Sequence, residues 1–326
     1  MSPGCSIRPL KSTTASAVIR NLLNGLPEQE VMLAGHPRTG SDHRFVRSYR
    51  SFRERFQALT GLGLSHRGTA QDRPQRLRIP GRGDLPDLSY LAAGSPKGRQ
   101  MLFIHGTPGT AHDWTPFLHK GTEGQYRLAV DRPGFGESGP GAPVVALGEQ
   151  ARAIAALLQR GEGPAVLVGS SYGGPVALRL AADHPGLVAG VLLVGAAGDP
   201  ECEQTHLLQR LAAARPFRRL LPRALAHSNA ELLALRRELQ VLGEHMGRIQ
   251  APVMILQGLH DTLVPAENSA YLAGRLVGTA RRRLVYVEQA GHFLHILFTD
   301  LVEEALRRVL ADADVYAQQP EGAFNS

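Results

Sequence analysis

The chain has 326 residues, 43% of them hydrophobic and 20% charged, enough apolar mass for one large core and an appendage. No apolar run reaches the roughly 18 residues that a membrane helix requires, so a spanning segment is excluded. The net charge is +7, but residues 1–82 hold 14 Lys and Arg against 5 Asp and Glu, whereas the remainder holds 22 against 24. All the excess basicity therefore sits in the first quarter, on a core that is close to neutral. A basic tail on a neutral core is read as solubilising, and no nucleic-acid partner is expected.

Residues 1–75 are predicted to form a basic, partly ordered N-terminal extension, with an amphipathic helix over HRFVRSYRSFRERFQALTGL (43–62). The first 27 residues contain no acidic residue, as organelle leaders do, but they lack the long apolar stretch of a secretory signal. Of the two cysteines, Cys5 and Cys202, the first lies in this extension, so no structural disulfide is expected. A reducing, cytoplasmic setting is the expectation, with a targeting segment left open. Because the extension is polar and basic and the core strands begin at about Arg76, removal of residues 1–70 is expected to leave activity and melting temperature nearly unchanged.

From Arg76 the pattern changes. RLRIP and LPDLSYLAAG read as short strands. MLFIHG (101–106) is a nearly continuous apolar run, as expected for a strand buried on both faces. TPGTAHDWTPFLHK leads through a loop into a helix, YRLAVD (126–131) is a strand, and DRPGFGES is a glycine-rich turn. A helix over 146–160, the strand PAVLVGS, the helix YGGPVALRLAADHP and the strand LVAGVLLVG (187–195) follow. Residues 199–247 break the rhythm with Leu-, Ala- and Arg-rich helices and no strand. The alternation then resumes with APVMILQG, AENSAYLAGRL, RRLVYVE and HILFTDLVEEALRRVLADA.

This order predicts an α/β fold: a mostly parallel eight-stranded sheet with helices on both faces and a helical cap inserted after strand six. The core covers 76–198 and 248–312, the cap 199–247, and 313–326 form a C-terminal tail. The cap carries 7 basic and 6 acidic residues among many leucines, so it offers a mainly apolar wall.

The stretch AVLVGSSYGGP (165–175) sets two serines at the end of a buried strand. A sharp strand-to-helix turn needs small residues two before and two after the exposed hydroxyl. Gly169 and Gly173 meet that need for Ser171, whereas Val168 and Tyr172 would crowd a turn at Ser170. Ser171 is thus the candidate nucleophile. A serine hydroxyl needs a base, and His292, in the loop directly after the last strand, is the candidate; His295, three residues on, is second. The base needs an acid to fix its tautomer. Asp261, just past the seventh strand, is the candidate, with Asp199 after the sixth strand as the alternative; His260 is incidental. Two backbone N–H groups would receive the oxyanion: that of Tyr172, after the nucleophile, and that of Thr107 in HGTPG, where Pro108 has none to give. His105 in the same loop is expected to pack rather than react.

FIHGTPG, DRPGFGES, GSSYGG, LQGLHDTLVP and AGHFLH together resemble the oxyanion loop, post-strand turn, nucleophile elbow, acid loop and histidine loop of the α/β-hydrolase fold family, over roughly residues 76–312 and in the family's order. The resemblance implies that Asp131 is structural and holds the turn that follows its strand. Serine at the elbow argues against the dehalogenase and epoxide-hydrolase chemistries that use aspartate there. Tyr172 departs from the tryptophan usual in proline iminopeptidases, which share the HGxPG loop. The expected activity is a serine hydrolase acting through an acyl-enzyme on a carboxylic ester of a small, hydrophobic substrate. An acyltransferase, C–C bond hydrolase or peptidase with the same triad, or a non-catalytic ligand-binding protein on this fold, is the alternative. No metal or cofactor is implied, the partner is a small ester-like molecule, and a homodimer stays open.

Overall fold

The computed structural model describes residues 31–33, 74–120, 124–204, 207–214 and 221–318. The helix expected over 43–62 lies outside them. Nine strands form a single sheet: β1 (Val31–Leu33), β2 (Gln75–Ile79), β3 (Leu88–Gly94), β4 (Arg99–Ile104), β5 (Gln125–Val130), β6 (Ala165–Ser170), β7 (Val188–Val194), β8 (Val253–Gly258) and β9 (Arg282–Val287). Their spatial order is β1-β9-β8-β7-β6-β4-β5-β3-β2. β3 runs antiparallel to both β2 and β5, and the other pairings are parallel. The eight strands expected from the sequence are all present. The ninth, β1, comes from the extension and pairs in parallel with β9, Met32 opposite Tyr286.

The central strands are buried on both faces, and their side chains alternate between two apolar clusters. Leu102 and Ile104 of β4, with Leu167 of β6, face one cluster; Met101, Phe103 and Val168 face the other. The first cluster is closed by α2 (Leu147–Leu158) and α3 (Gly173–Asp183), the second by α8 (Thr299–Ala317) and by α1 (Thr115–Leu118) with the turn before it. In the second layer Phe103, Trp114 and Phe117 pack ring to ring at 5.2–5.7 Å. Arg127 of β5 is buried there too, and Glu303 of α8 meets it with two hydrogen bonds of 2.6 and 2.9 Å. α8 runs on to Ala317, past the predicted helix end at residue 313.

Between β7 and β8 the chain inserts α4 (Leu207–Ala213) and the long α5 (Arg223–His245). α5 has two parts. Its second half drops Leu235, Leu239 and Leu242 into the same apolar cluster as α2 and α3. Its first half lies over the loops that leave β4 and β5. The short helix α6 (Glu267–Arg275) follows β8, and α7 (Leu294–Leu297) follows β9.

The strand order reverses at β4 and β6: β5 follows β4 on one side of it, while β6, β7, β8 and β9 run outward in sequence on the other. In sheets of this kind the crevice beyond the carboxyl ends of the strands opens at that switch point. The loops carrying Thr107 and Ser171 leave the sheet there.

Because β1 covers the β9 edge, the expectation of an unchanged melting temperature is revised: a chain begun at residue 74 should melt a few degrees below the full chain. Loss of a three-residue ladder is worth about 1 kcal/mol at this scale. Thermal denaturation of the two proteins checks this, and coincident curves would show that β1 adds nothing.

Candidate active site

Ser170 ends β6 with its side chain buried, and the chain turns at Ser171. Ser171 has φ +52°, the single non-glycine residue with positive φ among the described residues. Such a conformation costs about 1–3 kcal/mol and persists only where the surroundings over-determine it. They do so here by close approach. A Cβ on Gly169 would stand 2.5 Å from the Gly173 carbonyl oxygen, and one on Gly173 would stand 2.3 Å from that of Ile104. The Ser171 N–H donates to Val194 O at 3.1 Å, tying the turn to the end of β7.

Asp261 and His292 come from the next two loops. The loops are laced together by Leu259 N–H to Val287 O at 3.1 Å and His260 N–H to Ala290 O at 2.9 Å. His292 Nδ1 lies 2.8 Å from Asp261 Oδ2. The other oxygen of Asp261 accepts from the N–H groups of Leu263 and Val264 at 2.9 and 2.8 Å. Its carboxylate is fully buried, and the imidazole keeps a small exposed edge. With a carboxylate on Nδ1, that nitrogen carries the proton and Nε2 is left as the basic one. Gly195, directly after Val194, packs against this pair: a Cβ there would be 3.3 Å from Asp261 Oδ2 and 3.6 Å from His292 Nδ1. The end of β7 thus touches Ser171 on one side and the Asp261–His292 pair on the other. Among the described residues the Ser171 hydroxyl makes no hydrogen bond.

Asp199 is engaged elsewhere. Its carboxylate accepts from Glu201 N–H at 2.9 Å and caps a turn of helix over Pro200–Cys202. Its own N–H and that of Gly198 donate to Asn268 Oδ1. His295 sits in α7, buried, its ring tilted against that of Trp114 with centroids 4.9 Å apart.

The loop after β4 passes beside Ser171. A Cβ on Gly106 would stand 3.0 Å from the Cβ of Ser171 and 3.5 Å from its Oγ. Among the described residues, neither the Thr107 N–H nor the Tyr172 N–H donates a hydrogen bond. His105 is buried below this loop. Its Nε2 accepts from the Arg132 N–H at 3.0 Å, so Nδ1 bears the proton and donates to Gly106 O at 2.7 Å. Burial, then the charge of Arg132, hold His105 well below the ordinary histidine range, and it stays neutral. Asp131 is as tightly placed. One oxygen accepts from Ala111 N–H, and the other accepts from Glu137 N–H and from Arg76 at 2.6 Å.

Sequence reasoning passes over three residues here. Arg132, beside Asp131, is wholly buried and paired with Glu231 of α5. Ser228, one helical turn earlier, accepts from the Thr107 hydroxyl at 3.0 Å. One signal for Glu231 was present in the chain. It shares the 3.6-residue stripe of Leu235, Leu239 and Leu242, where a carboxylate is out of place unless a cation meets it.

Burial, and the nearby His292, push His295 from the ordinary value of 6.5 down to about 3. The unfolded chain accepts a proton at this residue below about 6.5 that the folded chain refuses until about 3. Unfolding is therefore favoured progressively as pH falls through that window, and stability is recovered as pH rises. His295→Phe, which keeps a ring against Trp114, should flatten the acid limb by up to one proton. Urea unfolding between pH 4 and 7 measures this, and an unchanged slope would refute it.

The model of the alpha/beta hydrolase family matches residues 101–305. A dihydrolipoyllysine-residue acetyltransferase component of the acetoin cleaving system of Pseudomonas putida is 32% identical over 151 residues, 46% of this chain and 40% of that protein. The chain thus spans less than half the length of that relative. The pimeloyl-[acyl-carrier protein] methyl ester esterase of Neisseria meningitidis serogroup B is 29% identical over 64% of this chain and 95% of its own. Among solved structures, the 2-hydroxy-6-oxo-6-phenylhexa-2,4-dienoate hydrolase of Rhodococcus sp. strain RHA1 superposes with a TM-score of 0.59 at 20% identity, covering 73% of this chain and 99% of that one. The family match spans well over half of the chain and agrees with the strand order and loop placement described above: this chain belongs to the alpha/beta hydrolase family.

Proposed function

We propose that the chain is a serine hydrolase that forms an acyl-enzyme, with a carboxylic ester of a small, hydrophobic substrate as its reactant. The observation that carries this reading is the 2.8 Å contact of His292 Nδ1 with the buried Asp261, at the sheet edge where Ser171 is lifted out of its strand. In this reading Ser171 Oγ attacks the ester carbonyl and passes its proton to His292 Nε2. Asp261 holds the ring in the required tautomer and stabilises the imidazolium. The carbonyl oxygen, now an oxyanion, accepts from the N–H groups of Thr107 and Tyr172, which have no other acceptor among the described residues. His292 returns the proton to the leaving alcohol, and water activated by the same nitrogen releases the acid. The serine–histidine hydrogen bond would tighten on substrate binding, as catalytic contacts often do.

The ester preference draws on the methyl ester esterase, which this chain matches over almost the whole of that enzyme's length. The hydrophobic preference draws on the leucines of 199–247, whose first part we propose to be a cap over the site. α5 leaves Leu225 exposed and α4 leaves Leu211 exposed, as an apolar wall requires.

Ser171→Ala should abolish turnover of an activated ester and labelling by a fluorophosphonate, whereas Ser170→Ala should cost far less. Asp261→Asn should lower kcat by up to ~10⁴-fold, the scale at which a wrong histidine tautomer acts in serine proteases. Asp199→Asn should cost about tenfold or less through a weakened cap. Assaying all four with one ester, and with thiols and alcohols as competing acceptors, tests the reading. A larger loss at Asp199 would move the acid to β7, and preferential transfer to an acceptor would make the enzyme a transferase.

A further inference from the structure

Arg132 occupies an unusual place. It follows Asp131 at the end of β5, and its guanidinium is entirely removed from solvent, as is the Glu231 carboxylate it faces. Its hydrogen bonds go to three parts of the chain. Nη1 donates to Glu231 at 2.5 Å and to Gln150 of α2 at 2.8 Å. Nη2 donates to the second oxygen of Glu231 at 3.1 Å and to the carbonyl oxygen of Gly106 at 2.9 Å. Nε donates to the carbonyl oxygen of His105 at 2.9 Å. Its Cζ lies over the rings of Phe135 and Tyr172, 4.6 and 4.7 Å from their centroids.

The bond to Gly106 O has a geometric consequence for its neighbour. The Gly106 carbonyl and the Thr107 N–H belong to one planar trans peptide, so they point in opposite directions. Fixing the oxygen inward, on Arg132 and on His105 Nδ1 at 2.7 Å, fixes the Thr107 N–H outward. A cation on the oxygen also polarises the peptide and strengthens that N–H as a donor. Tyr172 carries the second proposed donor, and its ring rests on the same guanidinium.

We infer that Arg132 is a positioning residue for the oxyanion-binding peptide: with Glu231 of the inserted helix as its counter-ion, it holds the Gly106 carbonyl so that the Thr107 N–H faces the reacting oxygen. This rests on the hydrolase reading above. Arg132 touches no substrate and acts through the Gly106–Thr107 peptide. The inserted helix reaches the same loop a second time through Ser228, which accepts from the Thr107 hydroxyl and donates to Ala224 O at 2.7 Å. The helix that forms part of the proposed cap therefore also aims a donor used in the reaction.

A structural clamp would alter only stability, whereas a positioning residue alters the transition state more than the ground state. The test uses two variants of the full chain. Arg132→Met combined with Glu231→Leu leaves no unpaired charge, an exchange that buried pairs often tolerate. Arg132→Lys keeps the charge facing Glu231 but cannot reach Gly106 O, His105 O and both carboxylate oxygens together. For either variant that folds, kcat for an activated ester should fall ~10–100-fold with KM within about threefold. Affinity for an alkyl boronic acid, which forms a tetrahedral oxyanion mimic on serine, should fall by the same factor, while affinity for the carboxylic acid product stays unchanged. Folded variants with wild-type kcat and boronate affinity would overturn the proposal, as would equal losses of boronate and product affinity. Ser171→Ala is run beside them. If it still turns over the ester, the hydrolase reading falls and the positioning role with it. If it is inactive while the Arg132 variants match wild type, the positioning role alone falls.

Discussion

A guanidinium cannot be left in a protein interior without partners for its donors, and at Arg132 that requirement organises the region around it. Burying such a charge costs several kcal/mol after relaxation, and only good geometry on every side recovers it. The acceptors come from β4's loop, from α2 and from the inserted α5, so these segments are held in one arrangement. Asp131, the preceding residue, does the same outward, joining Arg76 of β2 to the turns at Ala111 and Glu137. Two adjacent residues of opposite charge thus pin the loops after β4 and β5.

On the other side of Ser171 the arrangement uses a buried anion in place of a buried cation. Asp261 is satisfied by two backbone N–H groups and one imidazole, which leaves its carboxylate fully hydrogen-bonded without a permanent cation. A charge held in this way can stabilise an imidazolium that appears only during a reaction. The strained turn at Ser171 lies between these two fixed systems, and the close glycine contacts at 169 and 173 leave it no room to relax.

The parts of this molecule that are legible in the sequence are the local ones. Strands such as MLFIHG and PAVLVGS announce themselves as apolar runs because both faces are covered, and the elbow declares itself through glycines two residues either side of Ser171. The placement of Asp261 and His292 follows from chain order once strands are recognised, since each sits just past a strand's end. The contacts that escape are those joining distant segments. Arg132 and Glu231 lie 99 residues apart, and nothing in DRPGFGES says which helix will answer its arginine. The expectation that 199–247 is an apolar wall did not include that Leu235, Leu239 and Leu242 enter the sheet's own core. β1 escaped for a different reason. Its three residues derive their strand character from the open edge of β9.

The inserted helix also has a consequence for how such proteins diverge. An insertion between β7 and β8 that only shaped an entrance would be free to vary. In this chain the helix supplies the carboxylate for Arg132, and Glu238 on the same helix accepts from the Leu147 N–H at 2.9 Å, at the start of α2. A segment grafted here from another protein would strand a cation in the interior and leave a helix start uncapped, unless it brought acids at both heights. The insert and the β5 turn are therefore physically coupled, and a substitution in either is constrained by the other.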